Sequence, residues 1–254
     1  MEHMRLFMPT SGEDLRLLRN NRNNRPLHMA LQHEDTVLID IIKLLCYNDM
    51  SDPNNDGMTP LHQAVKQRAS LVTLQLLCVR TVFETPDVDL RTVADHAGII
   101  PLLTAVWLSL GLKRISFFIN LDRMMLFKTD QDGHTPFHLA VICGASANVV
   151  ALLFPGEGIQ PDLRIQTNND SNTPLMSAIL HGASHTVVKQ CINPEHQHAL
   201  FLESTTPHPT TPLQQYLQHG TRPLLVPIVR ALADRNAKLL SLPTSTDIYP
   251  CTLC

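Results

Sequence analysis

The sequence predicts an all-α solenoid of about five to six helix-turn-helix units with short β-turn fingers and irregular terminal caps. Three observations carry this expectation. Prolines recur at positions 26, 60, 101, 136, 174 and 212, in steps of 34, 41, 35, 38 and 38 residues, each inside a local copy of one pattern. Self-similarity at such a period marks a repeat architecture. Of the 254 residues 18 are Pro, only 10 are Gly and 5% are aromatic, which fits neither a β-sandwich nor a glycine-rich nucleotide fold. Apolar residues reach 44% against 17% charged, enough for a core. No run approaches the ~18 uninterrupted apolar residues of a membrane helix, so a soluble chain is expected.

The repeating pattern has a mechanical reading. Met58-Thr59-Pro60-Leu61-His62-Gln63-Ala64 recurs as His134-Thr135-Pro136-Phe137-His138-Leu139-Ala140 and as Asn172-Thr173-Pro174-Leu175-Met176-Ser177-Ala178. Weaker copies lie at Arg25-Pro26-Leu27-His28, Ile100-Pro101-Leu102-Leu103 and Thr211-Pro212-Leu213. Proline is tolerated in the first helical turn, where its missing N–H costs nothing, and the Thr before it serves as N-cap. Upstream, Asp56-Gly57 and Asp132-Gly133 supply turn residues able to take φ > 0. A second helix follows, after a break at Gly144 or Gly182, in Val72–Leu77, Val149–Leu153 and Val187–Ile192, apolar at helical spacing.

These segments resemble the ankyrin repeat over residues 24 to 235. In chain order, residues 1–23 read as an N-terminal cap, with an N-capped amphipathic helix over 11–23, and residues 24–200 as the repeats proper. The third unit has Ile100 where Thr is usual and about seven extra residues before it, between Val79 and Val93. Gly-Ala-Ser at 144–146 and 182–184 implies one extra residue in the inter-helix turn relative to the commonest ankyrin length. Pro209, Pro223 and Pro227 make residues 201–240 a degenerate last repeat or a helical C-terminal cap, and 241–254 read as a flexible tail. The resemblance also implies that His28, His62 and His138 tie neighbouring fingers together by hydrogen bonds.

Composition and motifs give no support to catalysis. A formal charge of -3 supplies no electrostatic reason to bind nucleic acid, and no nucleic-acid partner is expected. There is no glycine-rich phosphate loop and no paired-carboxylate constellation. No enzyme activity, cofactor or metal is expected. His196 and His198, with His208 nearby, offer a His-x-His pair for zinc, but no neighbouring Cys or carboxylate completes a set at a recognised metal-ligand spacing. Of the six cysteines, Cys46, Cys78, Cys143 and Cys191 sit in apolar stretches, as buried thiols do. The N-terminus has no apolar segment of signal-peptide length, so a reducing compartment is expected and disulfides are not. Cys143, at the end of a first helix, lacks an identifiable base and is not expected to act as a nucleophile.

The resemblance points to protein binding instead. By register from Pro101, the sole tryptophan, Trp107, falls near the end of a first helix, the part that in ankyrin repeats faces the concave groove. Lys66 and Gln67, Ile142 and Cys143, and Leu180 and His181 occupy the corresponding positions; Asn55, Met58, Ile99, His134 and Asn172 lie at the fingertips. Trp107 has two readings: an energetic anchor for a partner, or a ring packed under the insertion before its own repeat.

The last four residues, Cys251-Thr252-Leu253-Cys254, read as a C-a-a-X box with Cys251 as the prenylated thiol. A single lipid binds membranes marginally without a second signal; no basic stretch lies nearby, and Cys254 could supply one. The competing readings are an incidental tail or a Cys-x-x-Cys pair for metal or redox chemistry. Within the ankyrin family the chain resembles effectors that intracellular bacteria inject into host cells. That resemblance implies a monomeric scaffold, secreted into the host cytoplasm, that binds a host protein, with a prenyl group leading to a host membrane. The alternatives are an ordinary eukaryotic cytosolic adaptor or inhibitor, and an enzyme whose chemistry lies in the final sixty residues.

Overall fold

The computed structural model describes residues 15–32, 38–45, 51–84, 89–154 and 162–191. Ten α-helices lie among these residues, in pairs. The first members are α1 (Pro26–Ala30), α3 (Pro60–Lys66), α5 (Pro101–Trp107), α7 (Pro136–Ile142) and α9 (Pro174–Leu180). The second members are α2 (Leu38–Leu45), α4 (Leu71–Glu84), α6 (Leu112–Leu121), α8 (Ala147–Leu153) and α10 (His185–Cys191). First helices pack on first helices, α3 on α5, α5 on α7 and α7 on α9, while α6 packs on α8 and α8 on α10. The described residues form no β-strand, and the architecture is the predicted helical solenoid.

Each first helix starts at its proline, behind an extended residue: Arg25, Thr59, Ile100, Thr135 or Thr173. The Thr135 and Thr173 hydroxyls accept the amide N–H of His138 and Met176, closing one orphan donor of each helix. Ile100 has no such group, so α5 rests on its proline and its packing alone.

The far ends of α3, α5, α7 and α9 are also alike. Arg68, Ser109, Gly144 and Gly182, each eight residues after its proline, adopt left-handed φ of 59°, 52°, 67° and 63°. The next amide then reaches back into the helix: Ala69 to the Ala64 carbonyl at 2.9 Å, Leu110 to Ala105 at 3.0 Å, Ala145 to Ala140 at 2.8 Å and Ala183 to Ala178 at 2.8 Å. This is a Schellman cap, which satisfies carbonyls the helix leaves open. A four-residue turn follows in every case (67–70, 108–111, 143–146, 181–184) before the second helix begins. The turn spacing expected at 144–146 and 182–184 is thus shared by the other two pairs. Arg114 braces one of these turns, donating to the carbonyls of Ala69 (3.0 Å) and Arg68 (3.2 Å).

The core runs between the layers without interruption. Leu61, Ala64, Val65, Leu74, Leu77, Leu102, Val106, Ile115, Phe118, Phe137, Val150 and Leu153 are all buried in it. The insertion before the third unit is taken up partly by α4, which runs 14 residues, twice the length of α8 or α10. Before the fingers, Asp89-Leu90-Arg91 and Asp162-Leu163-Arg164 fold alike: the Leu is buried, and the Arg donates through Nε and Nη2 to its own Asp.

The helix expected over 11–23 is a correction. Of that stretch the described residues begin at Leu15; Leu15–Leu17 form one 3₁₀ turn, and residues 18–25 run as coil and turn. The expected last unit, the His196, His198 and His208 cluster, Cys46, and the tail with Cys251 lie outside the described residues. No helix among the described residues is long and apolar enough to cross a membrane.

Candidate functional site

The fingers are built by one device repeated five times. Six residues before each proline stands Asn20, Asn54, Asp95, Asp130 or Asn168, and its Oδ1 accepts the amides two and four residues on. All ten of these bonds measure 2.8–3.1 Å. They fold the turn locally, as Asx side chains do. Three residues before the proline the backbone turns left-handed, at Asn23, Gly57, Gly98, Gly133 and Ser171. At Gly57 the reason is close approach as well as φ: a Cβ there would lie 2.5 Å from the His96 amide nitrogen of the next finger.

Neighbouring fingers are joined by backbone bonds from Asn55 N–H to the Arg22 carbonyl (3.1 Å), His96 to Asp56 (3.1 Å) and Asn169 to Asp132 (2.9 Å). The histidines add a second tie. Nε2 of His28 reaches the Met58 carbonyl (3.0 Å), His62 reaches Ile99 (2.9 Å) and His138 reaches Asn172 (3.0 Å). The other ring nitrogen faces donors: Nδ1 of His62 meets the Thr59 amide and hydroxyl, and Nδ1 of His138 meets those of Thr135. Each ring is therefore held neutral with its proton on Nε2. Burial lowers the pKa of all three, and that of His138 to about 4. The third unit has Leu103 at this position and the fifth has Met176, so neither can form the tie.

A pocket of about 460 Å³ opens between the fingers and first helices of the second, third and fourth units. Its apolar wall comes from Met58, Ile99, Leu103, Trp107, Leu108 and Leu139; Asp95, Asp130 and Asp132 line the finger side, and Lys66, the last residue of α3, lies on the helix side. Trp107 is the last residue of α5 and is 59% exposed, not packed beneath the insertion.

The sequence-predicted positions distribute unevenly around this pocket. Met58, Lys66, Ile99 and Trp107 line it. Asn55 is exposed at its fingertip, where its Nδ2 donates to the Asn21 carbonyl. Gln67 is half-buried and its amide caps α3. Ile142 and Cys143 are half-buried; Leu180 is exposed, as is His181, whose Nδ1 lies 3.0 Å from the Ser177 carbonyl. His134 is half-buried, donating through Nδ1 to Asp130 and accepting from Asn168 through Nε2, each at 3.1 Å. Met58 and Asn172 are each only 9% exposed, with carbonyls used by His28 and His138, and of the two only Met58 lines the pocket.

Asp95, Asp130 and Asp132 are acidic pocket residues that sequence reasoning missed. For Asp95 and Asp130 the signal was an Asn or Asp six residues before the proline of each of the first five units; Asp132, four residues before Pro136, lies outside that signal. Asp130, Asp132 and His134 come close enough together to suggest a cation site. However, Asp130 Oδ1 already takes two finger amides and both His134 nitrogens are engaged, so finger folding accounts for the cluster. Burial pushes the Cys78 and Cys191 thiols up to about 12 and raises Cys143 as well, the reverse of what an activated nucleophile needs.

Comparison with known proteins agrees with this geometry. The family model described as ankyrin repeats (3 copies) matches residues 2–92 and 102–198. The fold is similar to the crystal structure of the ankyrin repeat domain of Bcl-3, described there as a unique member of the IkappaB protein family. That likeness has a TM-score of 0.67 at 20% sequence identity and covers 90% of this chain and 91% of that one. No curated protein sequence matches the chain. With the family model spanning most of its length, and with proline-started helix pairs, left-handed fingers and histidine ties in place, the chain belongs to the ankyrin-repeat family.

Proposed function

We propose that the chain is a non-catalytic scaffold that holds a protein partner in the groove between the fingers and first helices of its second to fourth units. Ankyrin repeats are protein-interaction modules, and one observation carries the location. Trp107 leaves most of its indole in water on the wall of an apolar pocket, where the core gains nothing from it. Exposed aromatic rings beside a pocket are the usual energetic anchors of interfaces. The test is affinity capture from eukaryotic lysate, followed by titration of the captured protein with wild type and Trp107→Ala. A loss of affinity of tenfold or more with an unchanged melting temperature is expected. Intact affinity with a lowered melting temperature would overturn the reading.

The setting of this scaffold is a further part of the proposal. The irregular units and the terminal Cys251-Thr252-Leu253-Cys254 box support a translocated effector that binds a host protein and is brought to a host membrane by a prenyl group on Cys251. The competing reading, a cytosolic eukaryotic adaptor or inhibitor without lipid, is favoured by the absence of a basic stretch beside the box. Mass spectrometry of the chain expressed in eukaryotic cells separates them. A farnesyl or geranylgeranyl adduct on Cys251 is expected, and an unmodified thiol removes the lipid from the reading. A translocation reporter in a bacterial host tests secretion independently.

A further inference from the structure

We propose that the groove takes a peptide segment of its partner in which a bulky apolar side chain is followed or preceded, within about four residues, by Arg or Lys. The inference rests on the scaffold reading above and adds the chemistry of the occupant.

Two features of the groove lead to it. The first is the apolar wall with Trp107 at its mouth, a space of about 460 Å³ that accommodates one or two large side chains rather than a whole element. The second is charge. Residues 54–58, 95–99, 130–134 and 168–172, the second to fifth fingers, contain Asp56, Asp95, Asp130, Asp132 and Asp170 and no Lys or Arg. The chain as a whole carries 20 Lys and Arg against 23 Asp and Glu, so this edge is a local segregation of negative charge. The fingers' own folding does not consume it. Asp95 spends only Oδ1 on the Ala97 and Ile99 amides, and the exposed Asp132 carboxylate takes no hydrogen bond from any described residue. Asp130, by contrast, is engaged through both oxygens, by two finger amides and by His134.

The need for a carboxylate is separable from the need for the fold. At the position of Asp95 and Asp130, other fingers have Asn20, Asn54 and Asn168, whose amide oxygens make the same two bonds. A turn that works with a neutral amide does not require the charge. Across the groove, Lys66 is the single cation on the pocket wall. It lies at the end of α3, its Nζ 3.9 Å from the Met58 sulfur, and leaves the finger side uniformly negative. An apolar anchor seated against Trp107 and Leu103 therefore has carboxylates within a side chain's length on one flank only, the arrangement that selects a neighbouring cation.

The experiment is selection of a random 12-residue peptide library displayed on phage against the whole chain, followed by anisotropy titration of the most enriched peptide. The expected consensus is one Phe, Trp, Leu or Met with Arg or Lys within four positions. Binding of that peptide should weaken tenfold or more in Trp107→Ala. It should weaken at least threefold in the combined Asp95→Asn, Asp132→Asn chain, and fall with added salt. Because Asn already occupies the Asp95 position in other fingers and the exposed Asp132 carboxylate takes no hydrogen bond from a described residue, the double variant should keep the wild-type circular dichroism and melting temperature. Peptides that need Trp107 but carry an acidic or uncharged consensus, and are indifferent to the double variant, overturn this inference while leaving the groove reading intact. Peptides unaffected by either variant place the interface elsewhere and overturn both. No enrichment at all also counts against a linear apolar-basic segment.

Discussion

The junction between the fourth and fifth units and the junction between the third and fourth are built on the same template but held differently. At the former, His138 bonds the Asn172 carbonyl, Asn169 bonds Asp132 through the backbone and Gln131 through its side chain, and Asn168 meets His134. At the latter, Leu103 replaces the histidine, and no backbone bond joins the two fingers among the described residues. A bond from Gln131 Nε2 to the His96 carbonyl, 2.8 Å, crosses instead. Yet α5 packs on α7 as α7 packs on α9. The comparison teaches that helix packing stacks the units, while the polar ties set how firmly neighbouring fingers are registered. The pocket spans the junction with fewer ties.

The largest expected effect that separates the two junctions is acid. The pKa of His138 is lowered from 6.5 to about 4, chiefly by burial. Between those values the unfolded chain binds a proton that the folded chain refuses. Stability is therefore complete above pH 6.5 and falls as pH drops toward 4, by about 3 kcal/mol from this residue. His28 and His62 shift in the same direction. Urea unfolding at pH 7 and pH 4.5 should show the loss, and His138→Gln should flatten it. Between pH 7 and pH 4.5, after correction for intrinsic rates, hydrogen-exchange protection should fall more at the fourth-to-fifth junction than at the third-to-fourth. An equal fall at both would mean that the histidine tie does not distinguish them.

Glycine substitution sharpens the contrast at intermediate size. Gly57→Ala brings a methyl to 2.5 Å from the His96 backbone nitrogen at φ +76°, so both strain and clash act, at about 3 kcal/mol. Gly98→Ala faces the third-to-fourth junction, where the nearest atoms are the movable Cγ of Gln131 at 3.1 Å and its amide nitrogen at 3.3 Å, so a milder contact adds to φ strain and the total is roughly 1–2 kcal/mol. Melting temperatures of the two variants should rank accordingly. The reverse order would refute the account of a loosely registered junction. The smallest effect belongs to Gln131→Ala, which removes the exposed bond to His96 and should cost at most about 1 kcal/mol in chemical unfolding.

What could be read in the sequence was whatever recurs as the same letter. Pro60, Pro136 and Pro174, the histidines at 28, 62 and 138, and the second-helix valines repeat literally, and the helix pairs and finger ties follow from them. The left-handed turn was legible at Gly144 and Gly182 but not at Arg68 and Ser109, because backbone geometry there is imposed by the cap and not announced by the residue. The Asx position escaped because Asn and Asp alternate, and Asp89-Leu90-Arg91 escaped because only Asp162-Leu163-Arg164 echoes it. Asn172 shows the limit of register: it shares its position with Met58 and Ile99, which line the pocket, yet it stands in the fifth unit, beyond the three units that form that pocket. The acidic edge assembles from residues about 35 apart in the chain, and only the stacking of the units brings them side by side.

The Asx device has an evolutionary consequence. Codons for Asn and Asp differ by one base, and the same turn is made by Asn in three fingers and by Asp in two. Where the second side-chain atom has no partner in the turn, as at Asp95, a single nucleotide change can switch the charge of a finger at little folding cost, whereas Asn54, Asp130 and Asn168 are held to their identity by bonds to Asn24 and His134. The electrostatic profile of this edge can therefore drift at some fingers while the scaffold beneath it stays the same.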